Sequence, residues 1–322
     1  MTTTPTPKKG FPWTTAILLF VFIGLPVLAC MCGFGAVLAT MRGDSTGLTG
    51  ATGDAVAVIY AEGMIASGSA SSTATSVAVT PRRIKADLRR AANDASVKAV
   101  VVRVNSPGGS AVASNEIYKA IKDFGKPVVF SFGETAASGG YYIACAGKWI
   151  VANPDTLTGS IGVISELPNA EELMKKIGVE FIVIKSGQNK DIGSPFRQMT
   201  DEEKKLWQVI IDQVYDGFVK IVAEGRNLPE DKVRQLADGR VYTGRQAKEL
   251  GLVDQLGYLD DAVNKAGELG GVKGKPRVVE YLPRPTFTEI FLGSQLFAPG
   301  LSLEQLLGLD ATPRLEYRFV AP

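Results

Sequence analysis

Apolar and polar residues alternate in blocks along the chain, and the blocks predict strands and helices in turn. Runs rich in β-branched residues predict buried strands over 55–60, 99–104, 127–132, 149–152 and 181–184. Apolar residues at helical spacing predict helices over 82–95 and 114–124, and a long helix that begins at a capping box formed by Thr200 and Glu203. Such short strand–helix repeats are typical of an α/β domain with a mainly parallel sheet.

The N-terminal region has a different pattern. No charged residue occurs from Gly10 to Met41, and about 20 apolar residues are enough to span the hydrocarbon core of a bilayer. We therefore predict a cytoplasmic N-terminus over 1–13 and a transmembrane helix over 14–41. Lysines 8 and 9 precede the apolar run, which by the positive-inside rule places the remainder of the chain outside the cytoplasm. The sequence thus predicts a single-pass protein of the cell membrane.

The apolar run is longer than the core of a cleaved signal peptide, which usually has about 7–15 residues. A lipoprotein signal that ends at Cys30 stays open as an alternative. After the run, the Gly/Thr/Ser-rich stretch 42–54 predicts a flexible linker. We expect a single globular domain over 55–282, followed by a C-terminal tail over 283–322 to which the sequence assigns no role.

Composition excludes several classes of chemistry. The 322 residues include no histidine, which removes a Ser-His-Asp triad, a Cys-His dyad and a His-ligated zinc site. Acyl-transfer chemistry would need another base, and lysine is the usual substitute. The formal net charge is only +2 with scattered basic residues, so nothing favours nucleic acid binding. We predict no cofactor and no metal, and we interpret Cys145 as a buried packing residue.

Paired glycines follow one of the predicted strands, in the segment NSPGG at 105–109. Glycine lets the backbone approach a ligand without an intervening side chain, and free backbone N–H groups can donate to an oxyanion. The same segment is also typical of a plain turn, so on its own it does not indicate a site.

A serine and a lysine stand in two further small-residue segments. Ser138 opens a predicted helix over 138–146, where unpaired N–H groups, including that of Gly139, favour a developing negative charge. The local sequence fits equally well a serine that only caps the helix. Lys190 lies in the segment SGQNKD at 186–191. A lysine acts as a base only when it is removed from water, and the sequence does not show such burial.

Taken in order, these segments resemble the signal peptide peptidase A family of Ser/Lys proteases. That family shares a strand followed by NSPGG, then ASGGYY, TGSIG and SG-x-x-KD-x-GSP, which here stand at 105–109, 137–142, 158–162 and 186–195. The resemblance covers roughly 56–272. It implies a Clp/crotonase-type spiral of βαβ units and a homo-oligomeric ring at the membrane.

The resemblance also implies a role for each matching residue. Ser138 would be the nucleophile, Lys190 the general base and Ser160 the residue that orients the lysine amine. Gly109 and Gly139 would supply the N–H groups of the oxyanion hole. The expected substrates are peptides, with remnant signal peptides as the class that the family implies.

Two other functions stay open. Crotonase-type acyl-CoA enzymes share the fold and use paired-glycine loops, but they usually need a carboxylate in the pocket, and the nearest here is Glu134. A membrane-anchored scaffold without catalytic activity is the second alternative. The intact serine and lysine positions and the predicted anchor favour the protease.

Overall fold

The computed structural model describes residues 53–67, 78–282 and 316–319. The predicted anchor over 14–41 lies outside them, as do nearly all of the linker and most of the tail. Among the described residues, no helix has both the length and the apolar character that crossing a bilayer requires.

The described part of the chain is a mixed α/β domain built on one mainly parallel sheet. Its strands are β1 (Ala55–Glu62), β2 (Val97–Ser106), β4 (Val128–Ala137), β5 (Trp149–Ala152), β6 (Leu157–Gly159), β7 (Val241–Thr243), β8 (Gln255–Leu256) and β9 (Arg277–Tyr281). The order is β7-β6-β4-β2-β1-β9, with β5 beside β4 and β8 beside β5. Only the β6–β7 pair in this sheet is antiparallel. Strands β1 and β2 are buried along nearly their whole length, as expected for parallel strands covered on both faces.

Helices cover the sheet. They are α1 (Pro81–Asn93), α2 (Ala111–Lys122), α3 (Gly139–Ala144), α4 (Glu171–Lys176), α5 (Asp201–Arg226), α6 (Glu230–Leu236), α7 (Gly244–Glu249) and α8 (Leu259–Leu269). Helix α8 packs on one face, against a small valine and alanine cluster. The larger core, on the opposite face, includes the aromatic side chains of α3 and the C-terminal half of α5.

Four of the five predicted strands are confirmed, and the strand predicted over 181–184 is wrong. Residues 181–185 form no regular secondary structure and pair with no strand, and Ile182 and Ile184 are 83% and 97% exposed. A β-branched run forms a strand only where the fold provides an edge with unused N–H and C=O groups. Here the run lies on an arm, residues 163–199, that leaves the sheet after β6.

Helix α5 begins as predicted and packs differently from the prediction. Its capping box at Thr200 and Glu203 is confirmed. The apolar stripe predicted along the whole helix buries only its C-terminal half, around Phe218, whereas Leu206, Val209 and Ile210 are exposed. The N-terminal half therefore extends away from the core of the single chain and leaves apolar side chains uncovered.

Two glycines of α5 should respond oppositely to alanine. A Cβ on Gly225 would lie 2.5 Å from the carbonyl oxygen of Cys145 in the backbone after α3, so Gly225→Ala should destabilise the fold by about 1–3 kcal/mol. A Cβ on Gly217 would meet nothing within 4 Å, so Gly217→Ala should stabilise the helix by about 0.5–1 kcal/mol. Denaturant unfolding of the two variants measures both effects, and equal effects would contradict this packing.

A short C-terminal strand was not predicted. Strand β10 (Glu316–Arg318) pairs antiparallel with β3 (Gly108–Ser110), which directly follows β2. The register places Tyr317 opposite Gly109. Part of the tail whose role the sequence left open thus lies against the NSPGG segment of the same chain.

Candidate active site

Ser138 lies at the junction of β4 and α3. Its backbone has φ 52° and ψ −115°, a conformation that non-glycine residues rarely adopt and that stores about 1–3 kcal/mol of strain. The Ser138 N–H donates to the carbonyl oxygen of Gly159 at 2.8 Å, and its own carbonyl accepts from the N–H of Tyr142. The side chain makes no capping hydrogen bond. The interpretation of Ser138 as a mere helix cap is therefore wrong, because its hydroxyl does not bond to the N–H groups at the start of α3.

Of the two glycines of β3, Gly108 faces the first residue of α3 and Gly109 faces Ile65. A Cβ on Gly108 would overlap the carbonyl oxygen of Tyr317 and lie 2.6 Å from the backbone nitrogen of Gly139. A Cβ on Gly109 would overlap the carbonyl oxygen of Ile65. Both glycines have positive φ, 99° and 147°. The close backbone approach thus requires glycine at both positions.

The N–H groups of the two β3 glycines point in different directions. The Gly108 N–H donates to Ser106 Oγ at 3.1 Å, so it is already used. Ile65 bonds to the backbone of Gly108 and Ser110, its N–H donating to the Gly108 carbonyl and its carbonyl accepting from the Ser110 N–H. Since hydrogen-bonding groups alternate in direction along a strand, the N–H of Gly109 points away from Ile65 and toward β10.

Ser160 adjoins Ser138 through the same backbone contact. It follows Gly159, whose carbonyl accepts from the Ser138 N–H, and it is buried with φ 48°. Its N–H donates to the carbonyl of Arg240 at 2.8 Å. The structure therefore places Ser138, Ser160, Gly109 and Gly139 close together, at the junction of β4, β6 and β3 with α3.

Strand β10 lies between two segments of this site. On one side it pairs with β3, and the N–H of Phe319 continues the pairing to the carbonyl of Pro107 at 2.8 Å. On the other side Glu316 exchanges two backbone hydrogen bonds with Ile164, each 3.1 Å long. Because Glu316 directs its polar groups to Ile164, the carbonyl of Tyr317 points toward Gly109. The site thus holds an extended peptide with a carbonyl beside the predicted oxyanion donors.

The side chain of Tyr317 fills an aromatic pocket. Its ring stacks on Tyr142 with centroids 4.9 Å apart and lies 4.7 Å from the ring of Phe218. Its hydroxyl donates to the carbonyl of Val214 at 3.4 Å, and burial raises the pKa of that hydroxyl. Sequence reasoning missed both β10 and this pocket. The alternating EYRF run at 316–319 was the only local signal for the strand.

Lys190 is not near Ser138 in the single chain. Ser138 is 1% exposed, whereas Lys190 is exposed in a turn of the arm. The turn is tied to the first turn of α5, at Glu203, and Phe218 beside the site is 15 residues further along that helix, or about 22 Å. A lysine side chain reaches only about 6 Å. The single chain therefore separates the predicted nucleophile from the predicted base.

The remaining nucleophile and metal candidates add nothing to the site. Cys145 is fully buried, and that burial raises the pKa of its thiol to about 12, so it is a packing residue as predicted. Over the described ranges, no group of three or more His, Cys, Asp or Glu side chains is placed to hold a metal ion.

Two family profiles match the sequence over the region that builds this site. That of peptidase family S49 matches residues 120–273, which include Ser138, Ser160 and Lys190. That of Clp protease matches residues 51–153, which include the β3 glycines and Ser138.

Several curated proteins are similar over longer stretches. A protein of Synechocystis that is provisionally named a protease is 51% identical over 176 residues, 54% of this chain and 64% of its own length. A protein of Enterococcus faecium provisionally named signal peptide peptidase SppA is 37% identical over 284 residues, 84% of this chain and 82% of its own length. Protease 4 of Salmonella typhi is 39% identical over 251 residues, 76% of this chain and 39% of its own length. The chain thus spans less than two thirds of the first and third relatives.

Proposed function

We propose, from the premise that this chain belongs to peptidase family S49, the family of the signal peptide peptidases, that it is a serine endopeptidase. Ser138 is the nucleophile, Lys190 the general base and Ser160 the residue that orients the lysine amine. Gly109 and Gly139 donate to the oxyanion. The mainly parallel sheet and the Clp protease match support a Clp/crotonase-type spiral for the domain.

The observation that carries the proposal is the peptide strand in the site. Strand β10 shows what the groove between β3 and Ile164 accepts, which is an extended backbone that pairs on both edges. The carbonyl of Tyr317 lies against Gly108 and Gly139, where the carbonyl of a scissile bond would have to stand. A substrate would take the same place and would first have to displace β10.

The chemistry uses groups of the chain alone. Neutral Lys190 accepts the proton of the Ser138 hydroxyl while the oxygen attacks the peptide carbonyl. The N–H groups of Gly109 and Gly139 stabilise the tetrahedral oxyanion, where each donor contributes about 3 kcal/mol. The lysine then protonates the leaving amine, and water hydrolyses the acyl-enzyme by the same route.

The proposal requires a second copy of the chain. In one chain Lys190 is exposed in a turn that is tied to the first turn of α5, whereas Ser138 is buried beside α3, so a neighbouring subunit has to bring the base to the serine and bury it. The arm exposes Ile182 and Ile184, and the adjoining half of α5 exposes Val209, which supports such an interface. We therefore propose a homo-oligomeric ring in which the arm of each copy reaches the serine of the next.

Location and substrate complete the proposal. We propose that residues 14–41 anchor the protein in the cell membrane with the N-terminus in the cytoplasm and the peptidase domain outside. The substrates are membrane-proximal peptides, with remnants of signal peptides as the class that the SppA-named relative suggests. A large apolar or aromatic residue before the cleaved bond would fit the pocket that Tyr317 fills.

The labelling rate of Ser138 as a function of pH tests the proposed base. A fluorophosphonate reacts with a serine whose proton is removed, so labelling of the full chain in detergent should become faster as the pH rises, because only a neutral lysine can accept that proton. Lys190→Ala should lose both most of the rate and its rise with pH. Lys176→Ala, at an exposed position on α4, is the control and should behave as wild type. A wild-type rate that is flat with pH would contradict lysine as the base.

A further inference from the structure

We infer that Arg197 is a positioning residue for Lys190, because its guanidinium joins the turn that carries Lys190 to the first turn of α5 by bridging Asp191 and Glu203. The inference rests on the proposed role of Lys190. It adds to that role the group that sets where the lysine stands relative to the serine of the next copy.

The guanidinium of Arg197 forms bidentate hydrogen bonds with the carboxylates of both Asp191 and Glu203. Its Nε and Nη2 donate to the two carboxylate oxygens of Asp191, each at 2.8 Å, and Nη2 also donates to the Asp191 backbone carbonyl at 3.1 Å. Its Nη2 and Nη1 donate to the two oxygens of Glu203 at 2.6 and 2.8 Å. Such forked pairs fix orientation as well as distance.

Glu203 ties this pair to the helix. Its Oε2 accepts the N–H of Thr200 at 2.9 Å, while Thr200 Oγ1 accepts the N–H of Glu203 at 3.2 Å. The Glu203 side chain is only 5% exposed, in contrast to 79% for Asp201 in the same turn. The capping box therefore has a second task, since its glutamate anchors a loop in addition to capping the helix.

The turn is held from its other end by a second cation. Lys185 Nζ donates to Asp191 Oδ1 at 2.6 Å and to the carbonyl of Gln188 at 2.9 Å. Lys190 thus lies between Gln188 and Asp191, which are both held by these hydrogen bonds. Residues 180–190 are exposed, and the Phe181 ring stacks on Phe196 at the base of the turn. The ionic contacts of Arg197 and Lys185 add to this stacking and to the turn's own backbone hydrogen bonds, and within the described ranges those of Arg197 alone join Asp191 to the helix.

The cluster stays ionised wherever a neutral lysine could act. Hydrogen bonds from Arg197 lower the pKa of Glu203 to about 2 and that of Asp191 well below its ordinary value. A lowered carboxyl pKa gives stability that is complete above the ordinary value of 4.5 and is lost only as the pH falls toward about 2. A rate change between about pH 6 and about pH 9 therefore does not report the loss of these contacts.

Kinetics of Arg197 variants in the full chain test the inference. Arg197→Gln should lower kcat for peptide cleavage by about 10- to 100-fold, because small displacements of a catalytic group cost that much. The KM should change by less than about twofold, since the peptide groove lies at β3 and Ile164. Arg197→Lys keeps the charge without the fork and should fall between Arg197→Gln and wild type.

A double variant and a matched control separate positioning from general damage. Arg197→Gln with Glu203→Gln should lose no more than Arg197→Gln alone if both act through one contact. Arg234→Gln removes an exposed ion pair, 2.8 Å long, between Arg234 on α6 and Asp216 on α5, and should retain wild-type kcat. Size-exclusion chromatography checks assembly for each variant, and if Arg197→Gln fails to assemble, Arg197→Lys serves as the test.

The outcomes distinguish this inference from the proposed function. If Lys190→Ala is inactive while Arg197→Gln assembles and keeps the wild-type kcat, the positioning role is wrong and the base is retained. If Lys190→Ala is itself active, the proposed base is wrong. If Arg197→Gln lowers kcat and raises KM by similar factors, or if Arg234→Gln lowers kcat as much as Arg197→Gln does, then the role of Arg197 is merely structural.

Discussion

A Ser138→Ala chain mixed with a Lys190→Ala chain is expected to recover peptidase activity that neither chain has alone. Each single variant should lose at least about a thousandfold in kcat, because nucleophile and base act as one unit. In a mixed ring, an intact serine can meet an intact lysine from the next copy. With equal amounts and random order, about one quarter of the sites are complete, so activity should approach about a quarter of wild type.

The physical basis of this expectation is the separation of Ser138 and Lys190. The serine is buried, and the helix that follows it packs through Tyr142 on Phe218, in the C-terminal half of α5. The turn that carries the exposed lysine is tied by Arg197 to Glu203, in the first turn of α5. Coexpressed or subunit-exchanged full chains can be assayed with one fluorogenic peptide. A Ser138→Ala chain mixed with the Ser138→Ala/Lys190→Ala double variant is the control and should stay inactive. Mixed assemblies that form but do not recover activity would contradict a site that is shared between neighbouring copies.

Replacing Tyr317 with alanine is expected to lower the KM for peptide substrates by about tenfold or more while kcat stays the same. Strand β10 occupies the peptide groove and therefore competes with the substrate. The apparent affinity for substrate is the affinity of an empty groove multiplied by the fraction of chains whose groove is empty. Burial of the Tyr317 ring against Tyr142 and Phe218 stabilises the occupied state by roughly 2–3 kcal/mol. Loss of the ring should therefore empty the groove.

Steady-state kinetics of the full chain measure this effect. Tyr258→Ala removes a tyrosine that is 65% exposed and should leave KM unchanged, so it is the matched control. A synthetic peptide that reproduces residues 314–322 should inhibit the Tyr317→Ala chain competitively. An unchanged or raised KM in Tyr317→Ala would show that β10 is a permanent wall of the groove and not a competitor of the substrate.

Local sequence patterns predicted much of the fold. The β-branched runs of β1 and β2 and the capping box of α5 depend on residues close in sequence, so they could be read directly. The run at 181–184 has the same local character but forms no strand, since pairing depends on an edge that the rest of the fold provides. Strand β10 shows the opposite case, because three residues with a weak pattern form a strand where such an edge exists.

The sequence by itself determined the chemistry that is possible. It contains no histidine, it orders the glycine, serine and lysine segments, and it places Ser138 at a strand-to-helix junction. Only the tertiary structure decided which of these residues meet. It brings Ser138, Ser160, Gly109 and Gly139 together, sets Lys190 at the far end of α5 and lays Tyr317 in the groove. The reason is that the burial of a residue and the identity of its neighbours depend on contacts between segments that are far apart in the sequence.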